Sequence, residues 1–142
     1  MAVVVGDDPR FEAVLETALY HGTGEAPAVE RFYGEVLGLP RVAGWDYGRA
    51  FRIGPGVLLL FDRDKLPEHS GPIAAHGASG PGHACLLARN GDYDAWKLRL
   101  EAEDVAITHE AEWPSGFRSF YFSDPAGNLL EIADGDLWPG SG

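Results

Sequence analysis

Basic residues are scarce in this chain: 11 Lys and Arg stand against 22 Asp and Glu, a net charge of −11. A nucleic-acid or anionic-membrane partner needs a basic footprint to meet phosphates, so the balance argues against both. The acidity favours solubility and carries no information about fold. Cysteine is nearly absent. With Cys85 alone no internal disulfide can form, which fits a reducing cytosol. Cys85 lies in an apolar run with no basic neighbour in sequence, so a buried, inert thiol is expected. No apolar run approaches the ~18 residues of a membrane span. The opening MAVVVGDDPRFE has neither a basic n-region nor a long apolar core, so no signal peptide is expected. There is no Gly-x-Ser-x-Gly elbow, no Walker loop and no Gly-x-Gly-x-x-Gly after a strand.

What is present describes one globular domain. The chain has 142 residues, 45% hydrophobic and 23% charged, enough for a sizeable core. Residues 26–38, APAVERFYGEVLG, place Val29, Phe32, Tyr33 and Val36 on one helical face. Pro27 suits the first turn and Gly38 the stop. Residues 92–103, DYDAWKLRLEAE, predict a second helix with Asp92 as N-cap and Tyr93, Trp96 and Leu100 on one face. Strands are predicted at 13–20 and 83–88, before each helix, at 49–53 and 56–61 after the first, and at 105–112, 118–122 and 128–133 after the second.

Each half therefore runs strand, helix, then about three strands, which is an internal duplication. The first module spans 13–62 and the second 83–134. Residues 63–82, rich in Gly, Pro and Ser and carrying His69 and His76, read as a linker that could fold over a pocket mouth. Arg49-Ala-Phe51 aligns with Arg118-Ser-Phe120, and the Pro55-Gly56 turn with the turn at Pro125 and Gly127. In the leading strands Glu16 aligns with His83; counting four from each turn glycine aligns Leu60 with Glu131. Three of these four positions carry side chains able to ligate a metal.

Glu131 sits inside an otherwise apolar strand, LLEIA. A buried unpaired carboxylate is costly, so it faces water, pairs with Arg49, Arg52 or Arg118, or holds a metal. Alternation puts Val14, Glu16, Ala18 and Tyr20 on one face, lining a cavity, and Leu15, Thr17 and Leu19 on the helix side. His21 then lies opposite Glu16, and His109 reads as a surface residue. Counting back from Phe32 without a gap selects Ala18 instead of Glu16, but alanine cannot bind metal.

AVERFYGEVLGLP, GPGHACLLA and FRSFYFSDPAGNLLEIAD resemble the vicinal oxygen chelate superfamily of glyoxalase I, bleomycin- and fosfomycin-resistance proteins and extradiol dioxygenases. The resemblance covers about residues 13–134. It implies an α+β fold of two βαβββ modules whose curved mixed sheets form an open barrel around a divalent metal. It implies metal ligands at Glu16, His83 and Glu131, with Glu131 or Glu16 also moving a proton. The ion would be Mn, Fe, Ni or Zn. Glu16 stands where His is common, a departure from the two-His, one-carboxylate extradiol site. Leu60 stands where glyoxalase I would offer a further carboxylate.

The expected function is therefore a metal-dependent isomerase, lyase or dioxygenase acting on a small molecule with vicinal oxygens, cytoplasmic and homodimeric. The alternative is a metal-free protein that sequesters a small molecule, such as an antibiotic, in an aromatic cleft. Tyr20, Arg52, Phe120 and Tyr121 are candidate substrate-pocket residues; core packing is the competing reading for the aromatics.

Overall fold

The computed structural model describes residues 8–66, 74 and 76–138. Strand β1 spans Glu16–His21 and leads through a short 3-10 turn, Thr23–Glu25, into helix α1, Ala26–Arg31. The helix widens into a π-turn at Phe32–Val36 before Gly38 stops it at φ 68°. The wider turn lets Phe32, Tyr33, Val36 and Leu37 all point inward, each no more than 5% exposed. Strands β2 (Arg41–Trp45), β3 (Gly48–Ile53) and β4 (Gly56–Asp62) complete the first half. The second half repeats the order with β5 (His83–Leu87), α2 (Tyr93–Ala102), β6 (His109–Glu112), β7 (Arg118–Ser123) and β8 (Leu129–Ala133).

The two halves form two open, four-stranded mixed sheets, ordered β1-β4-β3-β2 and β5-β8-β7-β6. In each, the leading strand runs parallel to the last and the remaining pairs are antiparallel. Strand β2 is not visible in the sequence pattern. It is mostly exposed, contains Gly44, and slips register between Arg41 and Ala43. Asp92 occupies the N-cap of α2, but its carboxylate takes Arg89 Nε at 3.0 Å and not a helix N–H. Among the described residues, no helix is long and apolar enough to cross a membrane.

One face of each sheet turns inward against the helices. Leu19, Phe51, Leu58 and Leu60 from the first sheet share a core with Phe120, Phe122, Leu130 and Ile132 from the second, and with Val29, Phe32, Tyr33 and Leu100 from the helices. Each large side chain so buried contributes roughly 1.5–3 kcal/mol.

A polar junction crosses this core. Asp124 is 5% exposed and Asn128 1%. Tyr33 donates to Asp124 Oδ2 at 2.6 Å, and Asn128 Nδ2 donates to the same oxygen at 2.9 Å. The other oxygen, Oδ1, accepts the Ala126 and Asn128 backbone N–H groups at 2.9 and 2.8 Å. Asn128 also donates to the Tyr20 carbonyl at 3.1 Å and accepts the Gly82 N–H at 2.8 Å. Burial, then the neighbouring Asp124 charge, raises the Tyr33 phenol well above its ordinary range, so it remains a donor. Removing that donor strands a buried carboxylate oxygen. Tyr33→Phe is expected to lower stability by roughly 1–3 kcal/mol, read as a shift of the urea midpoint at unchanged slope.

Candidate functional site

The outward face of the second sheet carries the reactive side chains. Core residues Leu130, Ile132, Phe120 and Phe122 face the helices, so alternation turns Leu129, Glu131, Ala133 and Tyr121 the other way. Ladder register then lines residues up across all four strands. Cys85 lies opposite Glu131, Glu131 opposite Tyr121, and Tyr121 opposite His109. His83 begins the neighbouring row with Leu129 and Ser123, while Leu87, Ala133, Ser119 and Ala111 form the row beyond.

His83 and Glu131 meet. His83 Nε2 is 3.2 Å from Glu131 Oε1, with side chains 47% and 6% exposed, so an accessible imidazole stands over a buried carboxylate. His83 Nδ1 donates to the Leu129 carbonyl at 2.8 Å, which fixes the ring and leaves Nε2 as the free nitrogen in the neutral form. Glu131 Oε2 is buried and takes no hydrogen bond of ordinary geometry among the described residues, although the Tyr121 hydroxyl and the Cys85 thiol face the carboxylate. The arginine pairing weighed for Glu131 is not formed: Arg49 pairs with Glu30, Arg118 with Asp94 and Asp134, and Arg52 hydrogen-bonds the Pro55 carbonyl.

Neighbouring groups respond to this carboxylate. Burial, then the adjacent Glu131, raises the Tyr121 phenol, and its ring stacks 6.1 Å from His83 with His109 edge-on. Cys85 is exposed and not buried as expected, because β5 is a sheet edge whose outward residues meet solvent. Partial burial and Glu131 nonetheless push its thiol up to about 12, so little of it is thiolate near neutrality.

The remaining candidates lie on or behind the first sheet. Its outward rows are Glu16–Val57–Arg52, then Ala18–Leu59–Ala50–Ala43, then Tyr20–Phe61–Gly48–Trp45. Glu16 is exposed at the start of β1. Among the described residues no group of three or more His, Cys, Asp and Glu side chains is placed to hold a metal, so one chain does not gather Glu16 with His83 and Glu131. Tyr20 is half-buried and its hydroxyl bonds His76 Nδ1, whose ring also packs on Phe61. Phe120 is not a pocket residue: it is 0% exposed, edge-on to Tyr93 in the core, since it must face opposite to Tyr121. His69 lies outside the described residues.

Register also corrects the repeat alignment at one position. Glu16 lies opposite Val57, two residues before Leu59; His83 lies opposite Leu129, two residues before Glu131. Glu16 thus matches His83, but Glu131 matches Leu59, while Leu60 is a core residue on the other face.

His21 ends β1 on the helix side, 0% exposed, with Nδ1 donating to the Gly22 carbonyl at 2.8 Å. Beside it Asp62 accepts the Thr23 hydroxyl at 2.8 Å and the Asp64 N–H at 2.9 Å. Burial opposes ionisation of Asp62, but these hydrogen bonds outweigh it and hold the carboxyl below its usual value.

The Glyoxalase/Bleomycin resistance protein/Dioxygenase superfamily profile matches residues 21–132. The chain belongs to that superfamily. The crystal structure of lactoylglutathione lyase from Agrobacterium tumefaciens is 38% identical, with a TM-score of 0.84, covering 92% of this chain and 99% of that one. An integron cassette protein from V. cholerae is 25% identical with a TM-score of 0.68, over 89% of this chain and 98% of that one. The oxidase ChaP-H2, 21% identical at a TM-score of 0.64 over 93% of this chain and 100% of that one, shares the fold. No curated protein matches the chain.

Two measurements check the local electrostatics. In chelator-treated protein, Glu131→Gln removes the charge that raises the Cys85 thiol, so its alkylation by iodoacetamide at pH 8 is expected to accelerate severalfold. An unchanged rate would show that Glu131 does not control the thiol. Asp62, with its folded pKa depressed, adds stability that is complete above its unfolded value of about 3.9 and is lost as pH falls through the lower folded value. The stability advantage of wild type over Asp62→Asn should therefore be largest near neutrality and shrink in urea titrations run towards acid.

Proposed function

We propose that the chain is a metal-assisted enzyme acting on a small molecule that presents two adjacent oxygens. His83 and Glu131 would supply two metal ligands from one chain, and Glu16 of a second copy the third. The observation that carries this reading is the buried Glu131 carboxylate with one oxygen unpartnered, beside an accessible imidazole whose other nitrogen is tied to the backbone. An orphaned buried carboxylate oxygen is costly unless a cation completes it. A nitrogen and two carboxylates suit Mn²⁺, Fe²⁺, Ni²⁺ or Zn²⁺. Such an ion supplies Lewis acidity to substrate oxygens.

The chain's own groups supply the rest. The Leu129 carbonyl holds the His83 ring in place. Glu131, shielded from water, is the carboxylate positioned to take or return a proton at the substrate carbon. Tyr121, kept protonated by burial and by Glu131, is a hydrogen-bond donor at the same face. Likeness to a lactoylglutathione lyase favours isomerase or lyase chemistry over oxygenation. A homodimer in a reducing compartment accommodates both the shared third ligand and the unpaired Cys85.

A metal-free binder is the second reading, favoured by Ala18 and Leu59, which leave the first sheet without ligands in the row that carries Glu131 in the second. Metal analysis separates the two. Protein purified without nickel affinity or chelator should hold about one divalent ion per chain. His83→Ala and Glu131→Gln should each weaken it at least tenfold. Glu16→Gln should do the same if the site is shared between copies. Wild-type protein that takes up no divalent ion would leave the binder.

A further inference from the structure

The outward face of the second sheet continues past the His83–Glu131 pair into a groove. Its floor is Leu87 and Ala133, its far wall Leu137 and Trp138, and its near end Cys85, in a space of about 310 Å³. Cys85 lies directly opposite Glu131 in the ladder, so the groove and the candidate site are contiguous. Leu87 is 67% exposed and Trp138 75%, two large apolar side chains bordering a space that no described residue fills.

The wall is built in place. Asp134 accepts the Arg118 N–H at 2.6 Å and Arg118 Nε at 3.1 Å, and its own N–H donates to the Arg118 carbonyl at 3.0 Å. At Gly135 a β-carbon would come within 2.3 Å of the Phe117 ring, so glycine lets the chain pass close beside that ring as it stands. Asp136 accepts the Trp138 N–H at 2.9 Å and turns the chain so that Trp138 reaches the groove. These wall residues follow position 132, where the superfamily match ends.

We propose that this groove takes the apolar substituent of the substrate, and that Trp138 and Leu87 select molecules whose adjacent oxygens carry a ring-sized apolar group. The proposal rests on the proposed function for the position of the oxygens. The occupant follows from that continuity: a molecule held at Glu131 has room for its remaining atoms along the face, and the surface beyond Cys85 is mostly apolar, Leu87, Ala133, Leu137 and Trp138, with Asp136 its one charged residue. The space of about 310 Å³ has ample room for an aromatic ring, and Trp138 offers it a flat stacking partner. The exposed lining makes the groove a place for a group that loses water on binding.

The test compares two chelating probes that differ only in the substituent, benzohydroxamate and acetohydroxamate, by calorimetry on the metal-loaded protein. Benzohydroxamate should bind tighter by roughly tenfold or more, the ordinary selectivity of an apolar pocket. In Trp138→Ala, and separately in Leu87→Ser, the ratio of the two affinities should fall to within about threefold; Trp138 is surface-exposed, so its removal leaves the core intact. Equal affinities in the wild type, or a ratio unchanged in both variants, would overturn the proposal. Should neither hydroxamate bind, the metal reading fails, and phenol decides the groove by itself. A phenol-dependent shift of the Trp138 indole N–H resonance, identified by its loss in Trp138→Ala, supports it. No shift, or a shift abolished by raising protein concentration as copies occupy the face, overturns it.

Discussion

Asp124 holds the two halves of this protein together. It is a buried carboxylate whose two oxygens are satisfied by four donors: a tyrosine from the first half, and a side-chain amide and two backbone N–H groups from its own turn. The turn DPAGN is thus more than a reversal of direction. Gly127 provides the left-handed step at φ 88°, and Asn128 uses its side chain to reach the Tyr20 carbonyl and the Gly82 N–H, the ends of the strands that lead each half. A charge this deep is tolerated only while every partner is present. Separating the halves would strand Asp124 and Asn128 in an apolar core, so the junction makes them fold as a unit.

Around that junction each sheet keeps its own register, and the registers decide which side chains meet. The second sheet aligns a thiol, a carboxylate, a phenol and an imidazole across four strands. The corresponding row of the first sheet is Ala18, Leu59, Ala50 and Ala43. One duplicated half therefore carries the row of titratable side chains, and the other, with Leu66 and His76 against its aromatic row, carries packing.

Much of the architecture was legible because each half follows local rules. Pro27 and Gly38 bracket the first helix, alternation separates Glu16, Ala18 and Tyr20 from Leu19, and the repeat matches Glu16 to His83. Local rules fall short where a position depends on a count or on a neighbour across the fold. Strand β2 pairs along one edge only, and its Gly44 and bulge erase the alternating pattern. Counting from the turn glycines lands on Leu60 instead of Leu59 because the turns differ in length. Two residues, Gly54 and Pro55, join β3 to β4, whereas five, Asp124 to Asn128, join β7 to β8. Phe120 and Tyr121 cannot line one pocket, because adjacent strand residues face opposite ways. The roles of Tyr33, Asp124 and Asn128 depend on contacts across 91 and 108 positions of sequence, which no local pattern encodes.

The quiet row of the first sheet has a consequence for how such a protein can change. Its side chains are small or apolar, and the ladder beneath them has the same strand order and parallel and antiparallel pairing as the one beneath the Cys85–Glu131–Tyr121–His109 row of the second sheet. New polar groups at Ala18 and Leu59 would thus be written on a frame that already holds polar side chains at the matching positions of the second sheet, with Leu66 the covering that must yield. Duplication has left this molecule a spare page whose ruling is intact.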